Sequence, residues 1–137
     1  MTAGFPAAAA LAACGVDPAA VRKIMPHVDP AAVPVRPAPP WLYRLWLPGI
    51  AGMAMPWAIY LHPAIYGDAR TGQGPLIIHE LMHVEQWRRH GTIGFLRRYL
   101  GDYLLNRWGG ARHRAAYEAI AAEEEARAAA AYLVGST

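Results

Sequence analysis

Cysteine and long apolar runs are what this chain of 137 residues has least of. Cys14 is its single cysteine, which excludes an intrachain disulfide and any zinc cluster built from several thiolates. The longest apolar stretch, residues 45–61, is interrupted by Pro48 and Pro56 and falls short of the roughly 18 residues that a membrane-spanning helix needs. We therefore expect a soluble protein or one that contacts a membrane only at its surface.

Charge is also scarce. Only 17% of the residues are charged, against 55% that are hydrophobic, and alanine runs occupy both ends of the chain. This composition favours a compact, mainly helical protein over a disordered one. At 137 residues the chain is long enough to bury one core but not two, so we expect one domain.

Positive charge is missing from the first four residues, where a secretory signal would carry lysine or arginine. Residues 11–15 are nevertheless similar to a bacterial lipoprotein cleavage box, and a short apolar stretch precedes them. We expect a cytoplasmic protein. Export as a lipoprotein attached through Cys14 is the alternative.

One motif indicates a chemical function. It lies in the apolar stretch 76–87, where His79, Glu80 and His83 form the pattern H-E-x-x-H. Two histidines four residues apart lie on one face of a helix, so both imidazoles can reach one metal ion. A zinc ion held in this way lowers the pKa of a bound water to about 7, and the glutamate accepts the proton of that water. The motif predicts one zinc ion per chain, with His79 and His83 as ligands and Glu80 as general base.

The flanking residues favour a helix for this motif. Residues 72–75 supply a loop and a proline in the first helical turn, and His90 and Gly91 supply a stop, so we predict a helix over about 75–90. Its apolar residues cover more than one face: Leu76, Ile77, Ile78, Leu81, Met82, Val84 and Trp87. Such a helix belongs in the centre of the domain.

Upstream of this helix, Asp17 and Pro18 predict the start of a short helix over residues 19–25. The prolines of residues 28–40 predict an extended connector without regular structure. Residues 51–62 predict two short strands, because the stretch is rich in β-forming residues and is interrupted or bounded by Gly52, Pro56 and Pro63. These strands come just before the predicted helix over residues 75–90, which we call the metal helix. Their free edge could pair with a peptide substrate.

Two further helices are predicted downstream. The first is capped by Thr92 and ends at Gly109 and Gly110, and the second runs over about residues 112–134. The second of these helices contains four glutamates that could supply a third zinc ligand: Glu118, Glu123, Glu124 and Glu125. The helical side marked by Tyr117, Ile120, Ala121 and Ala128 passes closest to Glu124, with Glu123 and Glu125 beside it. Spacing alone leaves this choice open.

Over residues 50–130 the chain resembles zincin-like metallopeptidases of the gluzincin type, in which H-E-x-x-H is followed on a later helix by a glutamate ligand. Within these, it is most similar to small bacterial zincin-like domains of uncharacterised substrate. Residues 123–127 are similar to the pattern around that ligand. The resemblance implies that Glu123 is the third ligand and Ala126 the small residue after it. Arg127 departs from the pattern, because an aspartate or asparagine usually stands there.

The expected architecture is accordingly α+β and mainly helical: an alanine- and proline-rich extension over residues 1–40, then a minimal zincin-like domain over 41–137. The expected activity is zinc-dependent cleavage of a peptide or amide bond in a peptide or protein substrate. Tyr117 is a candidate donor to the transition state, with core packing as its alternative. Two other hypotheses remain: a zinc-stabilised binding module without catalysis, and a metal-free helical protein with a chance motif.

Arginines are concentrated between residues 88 and 114, and Asp102 is the single acidic residue of this stretch. They are Arg88, Arg89, Arg97, Arg98, Arg107, Arg112 and Arg114. Such a patch can contact an anionic membrane surface, or it can be a solvated helix face. No aromatic-interleaved nucleic-acid motif accompanies it, so we expect no nucleic-acid partner.

Overall fold

The computed structural model of the chain describes residues 4–46, 50–109 and 120–135, apart from the side chain of Asn106. Three predictions fall outside these residues: the role of Tyr117, the ligand candidate Glu118, and a helix that begins near residue 112. Arg112 and Arg114 of the arginine patch also lie outside them.

A small mixed sheet lies beside the helices. Its strands are β1 (Phe5–Pro6), β2 (Pro34–Pro37), β3 (Gly52–Met55) and β4 (Ala58–Leu61). Their order in the sheet is β1-β2-β4-β3, with β2 and β4 parallel and the other pairs antiparallel. The predicted pair of strands within residues 51–62 is thus confirmed as β3 and β4. In the described residues the sheet ends at β3, which leaves that strand as an edge.

The predicted connector over residues 28–40 is wrong in part, because it contains regular structure. Pro30–Ala32 forms a 3₁₀ turn, and β2 follows it in the interior of the sheet. Pro34 and Pro37 stand at the two ends of β2, where the missing backbone N–H group disturbs the ladder least. Proline also fits the first position of a helical turn, which is where Pro30 stands.

Helices make up most of the described residues, so the structure is α+β and mainly helical, as predicted. They are α1 (Ala7–Ala13), α2 (Pro18–Ile24), α3 (Pro40–Tyr43), α4 (Pro63–Tyr66), α5 (Ala69–Gly72), α6 (Gly74–Trp108) and α7 (Ala121–Gly135). The predicted cap of α2 is confirmed, since the Asp17 side chain accepts a hydrogen bond of 3.0 Å from the Ala19 N–H group. None of the helices has the length and hydropathy of a membrane span within the residues described.

The first forty residues share one core with the remainder of the chain. Strand β2 pairs with β4, and α1 packs against α6. Buried side chains from both parts form a single cluster that includes Leu11, Val35, Ile59, Ile77, Leu81 and Leu133. Residues 4–40 therefore belong to the same packing unit as the rest of the described chain.

Helix α6 consists of two limbs joined by a kink at Gly91. We call residues 74–90 the N-terminal limb and residues 92–108 the C-terminal limb. Gly91 has φ 73° and ψ 165°, a backbone conformation that is almost exclusive to glycine. The predicted stop of the metal helix at His90 and Gly91 is confirmed as this kink. It lets Phe95 fold back and stack on Trp87, with ring centroids 4.4 Å apart.

Helix α7 packs along α6 with a different face from the one that we predicted. Its buried residues are Glu123, Ala126, Ala129 and Leu133, whereas Ala121, Ala128 and Ala131 are exposed. The prediction was right for Ile120, which is completely buried just before the helix. It was wrong for the alanines, because they occur on every side of this helix and therefore carry no information about its orientation. The single leucine and the buried Glu123 mark the true packing face.

We expect Gly91→Ala to destabilise the protein by about 1–3 kcal/mol, because alanine must adopt the strained conformation of the kink. Gly101→Ala is the matched control. A Cβ atom meets nothing within 4 Å at either position, but only Gly91 of the two has a positive φ. Alanine at position 101 should stabilise the helix by up to about 1 kcal/mol. Urea unfolding measures both changes, and equal effects would contradict the assigned kink.

Candidate metal centre

The candidate metal centre lies where the N-terminal limb of α6 meets α7. Ile77, Ile78 and Leu81 are completely buried on the limb and anchor it in the core. His79 and His83 stand one turn apart on the same limb, and their ring centroids are 5.0 Å apart. The histidines therefore project from a backbone that is fixed on several sides.

Glu123 reaches both histidines with one carboxylate oxygen. Its Oε2 atom lies 3.0 Å from His79 Nε2 and 3.0 Å from His83 Nε2. The exposed fraction is only 3% for the Glu123 side chain and 8% for His83, but it is 21% for His79. The cluster is thus enclosed on the side of α7 and accessible beside His79.

This arrangement fits the requirements of a metal ion. The three ligand atoms lie within 4.8 Å of one another. Two ligand atoms at 2.0–2.1 Å from a tetrahedral zinc ion are roughly 3.3 Å apart, which is close to the 3.0 Å between Glu123 Oε2 and each histidine Nε2. Two histidines and one glutamate are also the protein ligands of several catalytic zinc sites. The residues can therefore hold one metal ion.

The electrostatics of the cluster favour a positive charge at its centre. Burial lowers the pKa of His83, but the hydrogen bond to Glu123 and the negative charges of Glu80 and Glu123 outweigh it and raise the pKa to about 9. A buried carboxylate is costly unless a cation compensates it. A proton on His83 serves this purpose, and a divalent cation between the three side chains would serve it as well.

Glu80 lies beside the cluster without joining it. Burial raises the pKa of its carboxyl group, an effect that His83 and His79 partly offset and Glu123 reinforces. Glu80 lies against strand β3, since a Cβ atom added at Gly52 would lie 3.4 Å from Glu80 Cγ. Glu80 thus occupies the space between the two histidines and the edge strand of the sheet.

Gln86 fixes the orientation of His83. The amide oxygen of Gln86 accepts a hydrogen bond of 2.7 Å from His83 Nδ1. Its amide nitrogen donates to the Ala122 carbonyl at 3.0 Å and to Glu125 Oε1 at 2.7 Å, which defines the orientation of the amide. A proton held on Nδ1 leaves the lone pair of the neutral ring on Nε2, which faces Glu123.

The hydrogen-bond network continues from Gln86 to the N-terminal half of the chain. Arg89 donates to Glu125 and to the completely buried Glu85. Glu85 also accepts hydrogen bonds of 2.7 Å from the backbone N–H and from Nδ1 of His27. The loop after α2 is thereby tied to the helix that carries His79 and His83.

The other glutamates of α7 have different surroundings from Glu123. Glu124 is exposed. Burial raises the pKa of Glu125, but hydrogen bonds from Gln86 and Arg89 lower it below its ordinary value, so Glu125 stays ionised as their partner. Arg127, the departure from the family pattern, is also exposed. Of the candidates that the structure describes, Glu123 alone contacts both histidines.

Sequence reasoning missed the roles of Gln86, Glu85 and His27. Gln86 had a local signal, because it follows His83 by three residues and so lies on the same helix face. Glu85 and His27 are 58 residues apart, and no local pattern joins them. His62, by contrast, has a structural role, because its ring nitrogen Nδ1 accepts a hydrogen bond from Ala64 N–H at the start of α4.

We expect Gln86→Leu to weaken zinc binding by about 10–100-fold, because His83 loses the acceptor that holds its proton on Nδ1. Gln73→Leu is the control, since Gln73 is the N-cap residue just before the same helix and its side chain makes no capping hydrogen bond. Competition with a chromophoric chelator measures the affinities, and circular dichroism checks the fold. Equal zinc affinity of the Gln86→Leu protein and the wild type would show that the hydrogen bond has no positioning role.

Comparison with protein-family models, curated proteins and solved structures gives no match for this chain. The candidate site is therefore interpreted from its own residues and geometry.

Proposed function

We propose that this protein is a zinc-dependent hydrolase that cleaves a peptide or amide bond, with the zincin-like organisation that its H-E-x-x-H motif resembles. One observation carries the proposal: a single buried oxygen of Glu123 lies 3.0 Å from the Nε2 atoms of both motif histidines. Chance spacing of the motif would not require a carboxylate 40 residues away to converge on the same point.

In this proposal His79, His83 and Glu123 hold one zinc ion. Bound there, zinc would supply a Lewis acid for the substrate carbonyl and for the attacking water. Gln86 keeps the lone pair of His83 directed inward. The accessible side beside His79 leaves room for substrate, since a catalytic site needs an open position besides its protein ligands.

Glu80 is the general base of the proposed reaction. Its carboxyl group lies next to the ligand cluster and does not contribute a ligand atom to it. In the chain without a bound cation, burial raises the pKa of Glu80, which favours proton uptake by its carboxylate. After it accepts the proton of the attacking water, the same group can donate a proton to the departing amine.

Strand β3 is the proposed binding place for the substrate backbone. Hydrogen-bonded and non-hydrogen-bonded pairs alternate along an antiparallel ladder, and the Ala51 carbonyl accepts a hydrogen bond from His62 N–H. Gly52 and Ala54 therefore direct their backbone groups away from β4. Trp87 Nε1 donates to the Ala54 carbonyl, and Gly52 remains beside Glu80. A peptide added at this edge would pass close to the general base.

A zinc-stabilised binding module is the alternative function. Arg127, which replaces the usual aspartate or asparagine, is the observation that favours it. In a binding module Glu80 has no chemical task, whereas in a hydrolase it is essential. Substitution of Glu80 therefore separates the two functions.

We expect Glu80→Gln to retain bound zinc but to lose peptide cleavage by at least about 100-fold, because glutamine cannot accept the proton. A mass-spectrometric screen of the zinc-loaded protein against a mixture of peptides identifies the cleaved bond, and elemental analysis measures the zinc. Glu124→Gln is the matched control, since Glu124 is an exposed residue of the same type. Unchanged cleavage by Glu80→Gln would reject the mechanism, and a zinc-loaded wild type that cleaves nothing would favour the binding module.

A further inference from the structure

The C-terminal limb of α6 exposes an apolar stripe that the proposed hydrolase function does not use. Phe95 is buried on the opposite side of the limb, and Tyr99 and Asp102 are half-buried there. The stripe consists of six large side chains at helical spacing, with exposed fractions that reach 92% at Trp108: Ile93, Leu96, Leu100, Leu104, Leu105 and Trp108. Soluble proteins seldom expose so many large apolar side chains together unless the surface binds a partner.

The charge of the same surface has one sign. Arg97 and Arg98 are exposed, and neither forms a salt bridge with an acidic residue of the described chain. Asp102 is the single acid of the limb, and its carboxylate accepts a hydrogen bond from the Ala121 N–H group at the start of α7. Asp102 therefore faces the protein. Arg98 is exposed four residues before Asp102 and lies at the margin of the stripe, whereas Arg97 lies within it, between Ile93 and Leu104. The outer surface thus combines apolar side chains with an unneutralised arginine and has a second one at its edge.

We propose that the C-terminal limb of α6 binds the surface of an anionic phospholipid membrane. Ile93, Leu100 and Leu104 enter the boundary between headgroups and acyl chains, while Arg97 and Arg98 reach the lipid phosphates. Long arginine side chains can lie along an apolar surface and keep their charge at the phosphate level. Trp108 at the end of the limb is of the residue type that prefers this interface. The inference does not depend on zinc.

Anionic lipid fits this surface better than the other partners. A second copy of the chain packed symmetrically would bring the stripe's own arginines together, and their like charges would repel. A nucleic acid would neutralise the arginines but would leave leucines and a tryptophan against its phosphates. An anionic bilayer accommodates both the apolar and the basic side chains in one contact.

Membrane contact would also bring the candidate metal centre close to the lipid. Phe95, on the inner side of the limb, lies with its ring centroid 6.5 Å from that of His83 and stacks on Trp87. The limb therefore joins the proposed membrane surface directly to the metal helix. A substrate at or near the bilayer would be within reach of the site.

Cosedimentation with vesicles tests the proposal. We expect the full chain to bind vesicles of phosphatidylcholine that contain roughly one third phosphatidylglycerol, and to bind pure phosphatidylcholine much more weakly. Added salt should weaken the binding because it screens the arginines. Leu100→Gln/Leu104→Gln should abolish binding. Each result should be the same with zinc and with chelator, so failure of the zinc site does not affect the outcome.

Arg97→Gln/Arg98→Gln should lower vesicle affinity by on the order of ten-fold or more. Arg22→Gln/Lys23→Gln on α2 removes the same two charges from another exposed position and should bind as the wild type does. Circular dichroism checks that each variant is folded. Absent binding, or an equal loss in the two charge variants, would overturn the proposal. So would duplex DNA that displaces the vesicles, or a dimer in sedimentation velocity that dissociates in the leucine variant.

Discussion

The buried carboxylate of Glu123 is the constraint on which the rest of the structure depends. It lies between two imidazoles and is almost completely removed from water, so it needs a compensating positive charge. The hydrogen bond to Glu123 and the charges of Glu80 and Glu123 raise the pKa of His83 to about 9, which favours a positive charge at this point. Any cation that binds there also joins α6 to α7, because the histidines belong to one helix and the glutamate to the other. In our proposal, metal binding and the packing of the two helices are thus coupled at a single site.

Hydrogen bonds connect the candidate site to two other parts of the chain. Gln86 and Glu125 connect His83 to α7 on one side, and Arg89, Glu85 and His27 extend the network to the loop after α2. The kink at Gly91 then separates a limb that holds the ligands from a limb that exposes an apolar and basic surface. In our proposal one helix therefore carries both the metal site and the contact with the membrane.

The sequence predicted the elements whose signals are local. The metal helix, its stop at Gly91, the cap at Asp17 and the two strands near residues 51–62 all have short-range patterns, and the structure has each of them. The position of Glu123 came from the family resemblance, because the alanines of α7 do not define a packing face. Strand β2 and the Glu85–His27 contact were missed, since both depend on residues that are distant in the chain.

The metal content of the purified chain is the most direct test of the central claim. Elemental analysis should find about one zinc ion per chain in the wild type and in Glu124→Ala, and almost none in His79→Ala/His83→Ala. Glu123→Ala should lose most of the zinc, because the site then keeps only two protein ligands. A wild type that takes up no zinc after remetallation, or a Glu123→Ala protein that retains it while Glu124→Ala does not, would contradict the account.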